Sequence, residues 1–144
     1  MPKIPAEQGG IKTAVGANAA AGSEAGVITV PTNARWKLLS YYVKLVQGAT
    51  QTPRPALLIR DENDATVAII PMGADLAAST TVDLTWGAGI PNTANNVDLG
   101  SMATGLPVDM VLLQGWDIIT TTQGIGANTN YGVPRAAFQE WIEE

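Results

Sequence analysis

From residue 26 onward, apolar and polar positions alternate in short blocks separated by turn-forming residues. GVITVP (26–31) is β-branched and stopped by Pro31. ARWKLLSYYVKLVQ (34–47) predicts one long strand. Strict alternation along it places Leu39, Tyr41, Val43 and Leu45 on one face and Leu38, Ser40, Tyr42 and Lys44 on a more polar opposite face. PALLIR (55–60) and TVAII (66–70) flank a polar tip, Asp61-Glu62-Asn63-Asp64. TTVDLTW (80–86) sends Val82, Leu84 and Trp86 one way and Thr81, Asp83 and Thr85 the other. NVDLGS (96–101) is a short strand candidate, VDMVLL (108–113) runs into a Gln114-Gly115 turn, and WDIITTTQ (116–123) is again β-branched. Turn signals recur at 48–53, 61–64, 87–95, 104–107, 114–115 and 124–130. Regular short strands with this punctuation predict an all-β sandwich or barrel rather than βαβ units. The loops at 87–95 and 123–130 are candidates for exposed contact.

The two ends depart from this pattern. Residues 1–25 are rich in Ala, Gly and small polar residues, with little to bury. They read as an extended N-terminal arm, ordered where it lies on something else, with Ile11 and Val15 as its anchors. The body is then one domain, 26–144. In the C-terminal stretch, Pro134, Ala137, Phe138, Trp141 and Ile142 fall at helical spacing, which by itself predicts a short helix. Glu143 and Glu144 would stand at the unfavourable end of its dipole.

Composition narrows the chemistry. A length of 144 residues suffices for one core without staples, and there is no cysteine or histidine. That removes thiolate chemistry, the commonest general base and the usual ligands of zinc, copper and iron. No leader-like N-terminus and no apolar run of about 18 residues is present, so a soluble protein without membrane contact is expected. The net charge of −5 argues against nucleic acid as a partner. The charge is also uneven. Residues 1–60 carry seven bases and two acids, net +5, while residues 61–144 carry one base and eleven acids, net −10. Internal pairing of the two halves is the simplest consequence in a single domain.

The remaining chemical candidates fail individually. Asp61 and Asn63 fit the first two places of an EF-hand loop, but Ala65, Thr66 and Met72 occupy the third-ligand, glycine and final-glutamate places. The acidic tip therefore reads as a hairpin turn. Asp109 with Asp117, or Asp61 with Asp64, could form a glycosidase pair, but nothing fixes either separation. Ser23, Ser40, Ser79 and Ser101 lie in no nucleophile motif. WGAGIPN and QGIGAN match neither phosphate-binding fingerprint. Trp36, Trp86, Trp116 and Trp141 could stack sugars but fit packing better. The inventory thus leaves no catalytic residue, no metal and no cofactor, and points to adhesion.

Five stretches in order, RWKLLSYYVKLV, RPALLIRDENDATVAIIPMG, LAASTTVDLTWGAGIP, LPVDMVLLQGWDIITTT and FQEWIEE, resemble a family of small jelly-roll virion proteins of tailed bacteriophages. These decorate or cement capsids, or belong to other virion parts. The resemblance covers about three-quarters of the chain, from residue 34, and leaves out the N-terminal segment. It implies an eight-stranded jelly-roll β-sandwich, a final strand in place of the C-terminal helix, and no enzymatic activity. It further implies a position on the capsid exterior after assembly in the host bacterial cytoplasm, with major capsid protein as partner and a homotrimer as the assembly. On that reading Lys3, Ile4, Ile11, Lys12 and Val15 are the capsid contacts, and Trp86, Ile90 and Asn92 are exposed loop contacts. The alternative is a tail, neck or fibre component that binds host carbohydrate through exposed tryptophan.

Overall fold

The computed structural model describes residues 9–48, 52–90 and 100–142. Eleven strands are found among them: β1 (Gly10–Val15), β2 (Ile28–Thr29), β3 (Ala34–Gln47), β4 (Arg54–Arg60), β5 (Thr66–Pro71), β6 (Thr81–Ala88), β7 (Ser101–Leu106), β8 (Val111–Leu112), β9 (Asp117–Gln123), β10 (Thr129–Tyr131) and β11 (Arg135–Ile142). Eight have six residues or more; β2, β8 and β10 have two or three. They form two sheets, a jelly-roll β-sandwich. One sheet runs β1-β11-β3-β6-β7, with β8 and β10 also on β3, and the other runs β2-β9-β4-β5. Among the described residues no helix is long and apolar enough to cross a membrane.

The 14-residue strand β3 is the spine of the larger sheet. Along one side it pairs with β11 from Ala34 to Tyr42 and then with β10 from Leu45 to Gln47. Along the other it pairs with β8 at Trp36 and Lys37 and then with β6 from Ser40 to Val46. Its ends and the inward face of its second half are those the alternation predicts, but the phase of its first half is not. Ala137 pairs with Ser40 and Phe138 with Leu38, so Leu39 is an extra residue, a β-bulge. Before the bulge Ala34, Trp36 and Leu38 point inward; after it Tyr41, Val43 and Leu45 do. Leu38, expected outside, is 1% exposed, because one inserted residue reverses every side chain on one side of it.

The core lies between the sheets. Trp36, Leu38, Tyr41, Val43 and Leu45 of β3, with Leu84 and Trp86 of β6 and Phe138 of β11, meet Leu57 and Ile59 of β4 and Ile118 of β9. Trp36 stacks on Phe138 at 3.7 Å between centroids, and Tyr41 meets Trp86 edge-on at 5.7 Å. Trp86 Nε1 donates to the Ile70 carbonyl at 2.9 Å, a hydrogen bond from one sheet to the other.

The polar tip is the β4–β5 turn. Asp61 Oδ1 accepts from the backbone N–H of Asn63 at 2.8 Å and of Ala65 at 3.0 Å, and Asp64 takes a left-handed φ of 62°. The Gln114-Gly115 turn is also present, with Gly115 at φ 78°. The C-terminal stretch is strand β11, as the resemblance implies and against its helical spacing, since it has a backbone partner on each side, β1 and β3. Two elements differ from expectation. Thr104 to Leu106, expected in a turn, end strand β7, which runs parallel to β6. Thr129 and Asn130, expected in a loop, begin β10. The 96–101 candidate falls mostly outside the described residues.

Candidate interaction surface

From Gly10 on, the N-terminal segment lies on the body of its own chain. β1 forms an antiparallel ladder with β11, from Gly10 opposite Glu140 to Val15 opposite Arg135. Gly16 N donates to the Pro134 carbonyl at 3.0 Å, and Gly22 N to the Thr129 carbonyl at 2.8 Å. Further on, the Glu24 carboxylate accepts from Thr120 Oγ1 (2.6 Å), Thr122 N (2.7 Å) and Thr122 Oγ1 (2.8 Å), which ties the segment to β9. Ile11 and Val15 are not its anchors on the body. They point outward, 68% and 54% exposed, while Ala14 is the β1 side chain packed against the core.

Lys12 stands at the rim of the sandwich. Its Nζ donates to Glu140 Oε1 at 2.7 Å, and Trp36 Nε1 donates to Glu140 Oε2 at 2.8 Å. These two donors, Lys12 foremost, hold the Glu140 carboxyl below its ordinary value against a smaller opposing effect of burial. One carboxylate thus joins β1, β11 and β3. No sequence signal marked this triad, because its members are 24 to 128 positions apart along the chain.

The other sequence-derived contact residues are placed differently. Trp86 is fully buried, so it is corrected from an exposed loop contact to a core residue; the alternation of Val82, Leu84 and Trp86 had already pointed it inward. Ile90 folds back on the outer face of the larger sheet. Gly87 and Gly105 are paired neighbours on β6 and β7, and a Cβ on either would collide with Ile90. The missing side chains form the slot that Ile90 fills. Lys3, Ile4 and Asn92 lie outside the described residues.

The chemical candidates are occupied by structural contacts. Asp117 accepts from Arg60 Nη2 at 3.0 Å and Thr29 Oγ1 at 2.6 Å. Asp109 is 2.6 Å from Lys37 Nζ, and Asp64 is 3.7 Å from Arg60. Asp61 is likewise taken up by the turn, through the backbone N–H groups of Asn63 and Ala65. Among the described residues no group of three or more Asp or Glu could hold a metal ion. Trp36 is core; Trp116, half-buried, gives its Nε1 to Glu62, and Trp141 has one ring face covered by the Arg35 guanidinium at 5.3 Å. The ion pairs Lys12–Glu140, Lys37–Asp109, Lys44–Asp83, Arg54–Asp75, Arg60–Asp64 and Arg60–Asp117 each join a base before residue 61 to an acid after it. The uneven charge of the two halves is therefore mixed within the fold.

Apolar side chains also face solvent. β1 presents Ile11 and Val15 on the outer face of the larger sheet. On the outer face of the smaller sheet, Ile69, Leu58 and Ile119 stand side by side across β5, β4 and β9, with Ile69 56% exposed.

No protein-family profile matches the chain, and no curated protein matches it. Among solved structures it is similar to the protein of T=1 particles derived from infectious bursal virus, with TM-score 0.34, 11% identity, all of this chain and 45% of that one covered. It is similar to the same degree to the protein of the T13 infectious bursal disease virus particle, with TM-score 0.34, 10% identity, and 100% and 44% of the two chains covered. For the Gx strain of that virus the TM-score is 0.31 at 10% identity, with 98% and 40% covered. The chain spans less than half the length of each.

Proposed function

We propose that this chain is a structural, non-enzymatic protein of a virion. It decorates the capsid exterior of a tailed bacteriophage and cements it by bridging neighbouring major capsid protein subunits. The observation that carries this reading is strand β1, an exposed sheet edge that presents Ile11 and Val15 to solvent while its inner side is fastened to the body. The ordered sequence stretches described above support the phage assignment. The commitment of Asp61, Asp109 and Asp117 to turns and ion pairs supports a role without turnover. A shell under internal pressure is held by many modest contacts, and a compact protein with an adhesive edge adds contacts at the seams.

Sedimentation of purified protein with shells that lack it tests this reading. The wild-type chain saturates the shells. The double variant Ile11→Asp, Val15→Asp binds at least about tenfold more weakly, because burying one such side chain is worth roughly 1.5–3 kcal/mol. Absence of the wild-type chain from the pellet, or equal retention of the double variant, contradicts it.

A further inference from the structure

We infer that β1 pairs, antiparallel and across a two-fold axis at Thr13, with β1 of a second copy of this chain. This goes beyond the proposed function and concerns the purified protein alone. β1 is an end strand of its sheet. Because Gly16 N donates to Pro134 O, the even-numbered residues of β1 direct their backbone groups at β11. The N–H and C=O groups of Ile11, Thr13 and Val15 therefore point away from the body, a row of donors and acceptors at the spacing of a strand.

Two features of the fold favour this edge over those of the smaller sheet. β2 has only two residues, and β5 carries a bulge near its start and ends in Pro71. Both are blunted in the usual ways. β1 has six residues, no proline and a regular register.

The sequence of β1 selects the occupant. About Thr13 the pattern Ile-Lys-Thr-Ala-Val carries β-branched apolar residues at both ends, Ile11 and Val15. Antiparallel pairing centred there sets Ile11 opposite Val15 of the other copy, Thr13 opposite Thr13, and Lys12 opposite Ala14. Each is a favourable or neutral cross-strand neighbour. The exposed Ile11 and Val15 of both copies then form one apolar stripe along the seam. No base faces a base, and each Lys12 keeps Glu140 of its own copy as counter-ion. An isologous contact of this kind closes at two copies. It is independent of the three-fold assembly that the sequence resemblance implies, since it can join copies standing singly or in threes.

Sedimentation equilibrium of the full chain tests the pairing. The wild-type mass doubles with rising concentration. Thr13→Pro removes an N–H that faces away from β11; it abolishes the doubling and leaves the circular dichroism spectrum unchanged. Thr13→Glu and Thr13→Arg each stay monomeric, because like charges then meet on the axis, and mixing the two restores the dimer as a one-to-one heterodimer. A wild-type chain that keeps the mass of one copy throughout overturns the inference. So does an oligomer that Thr13→Pro leaves intact, or a Glu/Arg mixture no more associated than its parts.

Discussion

Glu140 and Trp86 each fasten a strand through one or two side-chain atoms. Glu140 holds β1 through Lys12 and β3 through Trp36. Its folded pKa lies below its unfolded one, so the stabilisation is complete above the ordinary glutamate range of about 4.3. It is lost as pH falls from there through the depressed folded value. Hydrogen exchange of the β1 amides should therefore accelerate below about pH 4 ahead of the core strands, and Glu140→Gln should remove that pH dependence. An acid response of β1 that survives Glu140→Gln would place its cause elsewhere. Trp86 joins the sheets through one N–H to Ile70. Trp86→Phe keeps an aromatic ring but leaves that half-buried carbonyl without its donor, which costs about 1 kcal/mol in a denaturant melt. A loss of a few tenths would mean that the hydrogen bond contributes little. At this scale alternation was informative along β6: Val82, Leu84 and Trp86 share the buried face as read. The assignment of Trp86 to a loop surface ran against that alternation.

At the scale of elements, β3 shows what period-two reading recovers and what it misses. Both ends were legible, because apolar residues at close spacing run between turn signals at each side. The bulge was not, since nothing local distinguishes Leu38 from Leu39 as the inward residue; the choice is made by pairing with β11. Deleting Leu39 leaves Leu38 inward, Ser40 outward and Tyr41 inward, a regular strand. That deletion should retain a cooperative thermal unfolding transition. Deleting Lys44 instead reverses one end of the strand against its partners and should abolish the transition. Equal tolerance of both deletions would refute the assigned phase. The same lesson applies to β11 and β7. Phe138, Trp141 and Ile142 mimic helical spacing, but a stretch with strands on both sides satisfies its backbone groups in a sheet. In β7, Met102 and Leu106 are the apolar inward residues and Gly105 weakens the pattern, so little in its sequence marks a strand.

Across the whole molecule, charge distribution was read more securely than topology. Among the described residues, six ion pairs link the basic half to the acidic half, as internal mixing requires, and of these only Arg60–Asp64 joins residues near in sequence. The parallel β6–β7 pair could not be read, since its order is set by contacts remote in sequence and by a crossover. The N-terminal segment was legible as extended but not as a sheet strand. Its outward Ile11 and Val15 bury nothing on the body, and its fastening comes from backbone pairing and Glu140. That combination, a firmly held inner side and an apolar outer edge, is the physical basis for proposing a shell-binding protein. The most direct measurement is the temperature at which particles with and without this chain release their genome. The account predicts release at a lower temperature without it, restored by adding back the wild-type chain but not the Ile11→Asp, Val15→Asp variant. Release at the same temperature with and without the chain would contradict it.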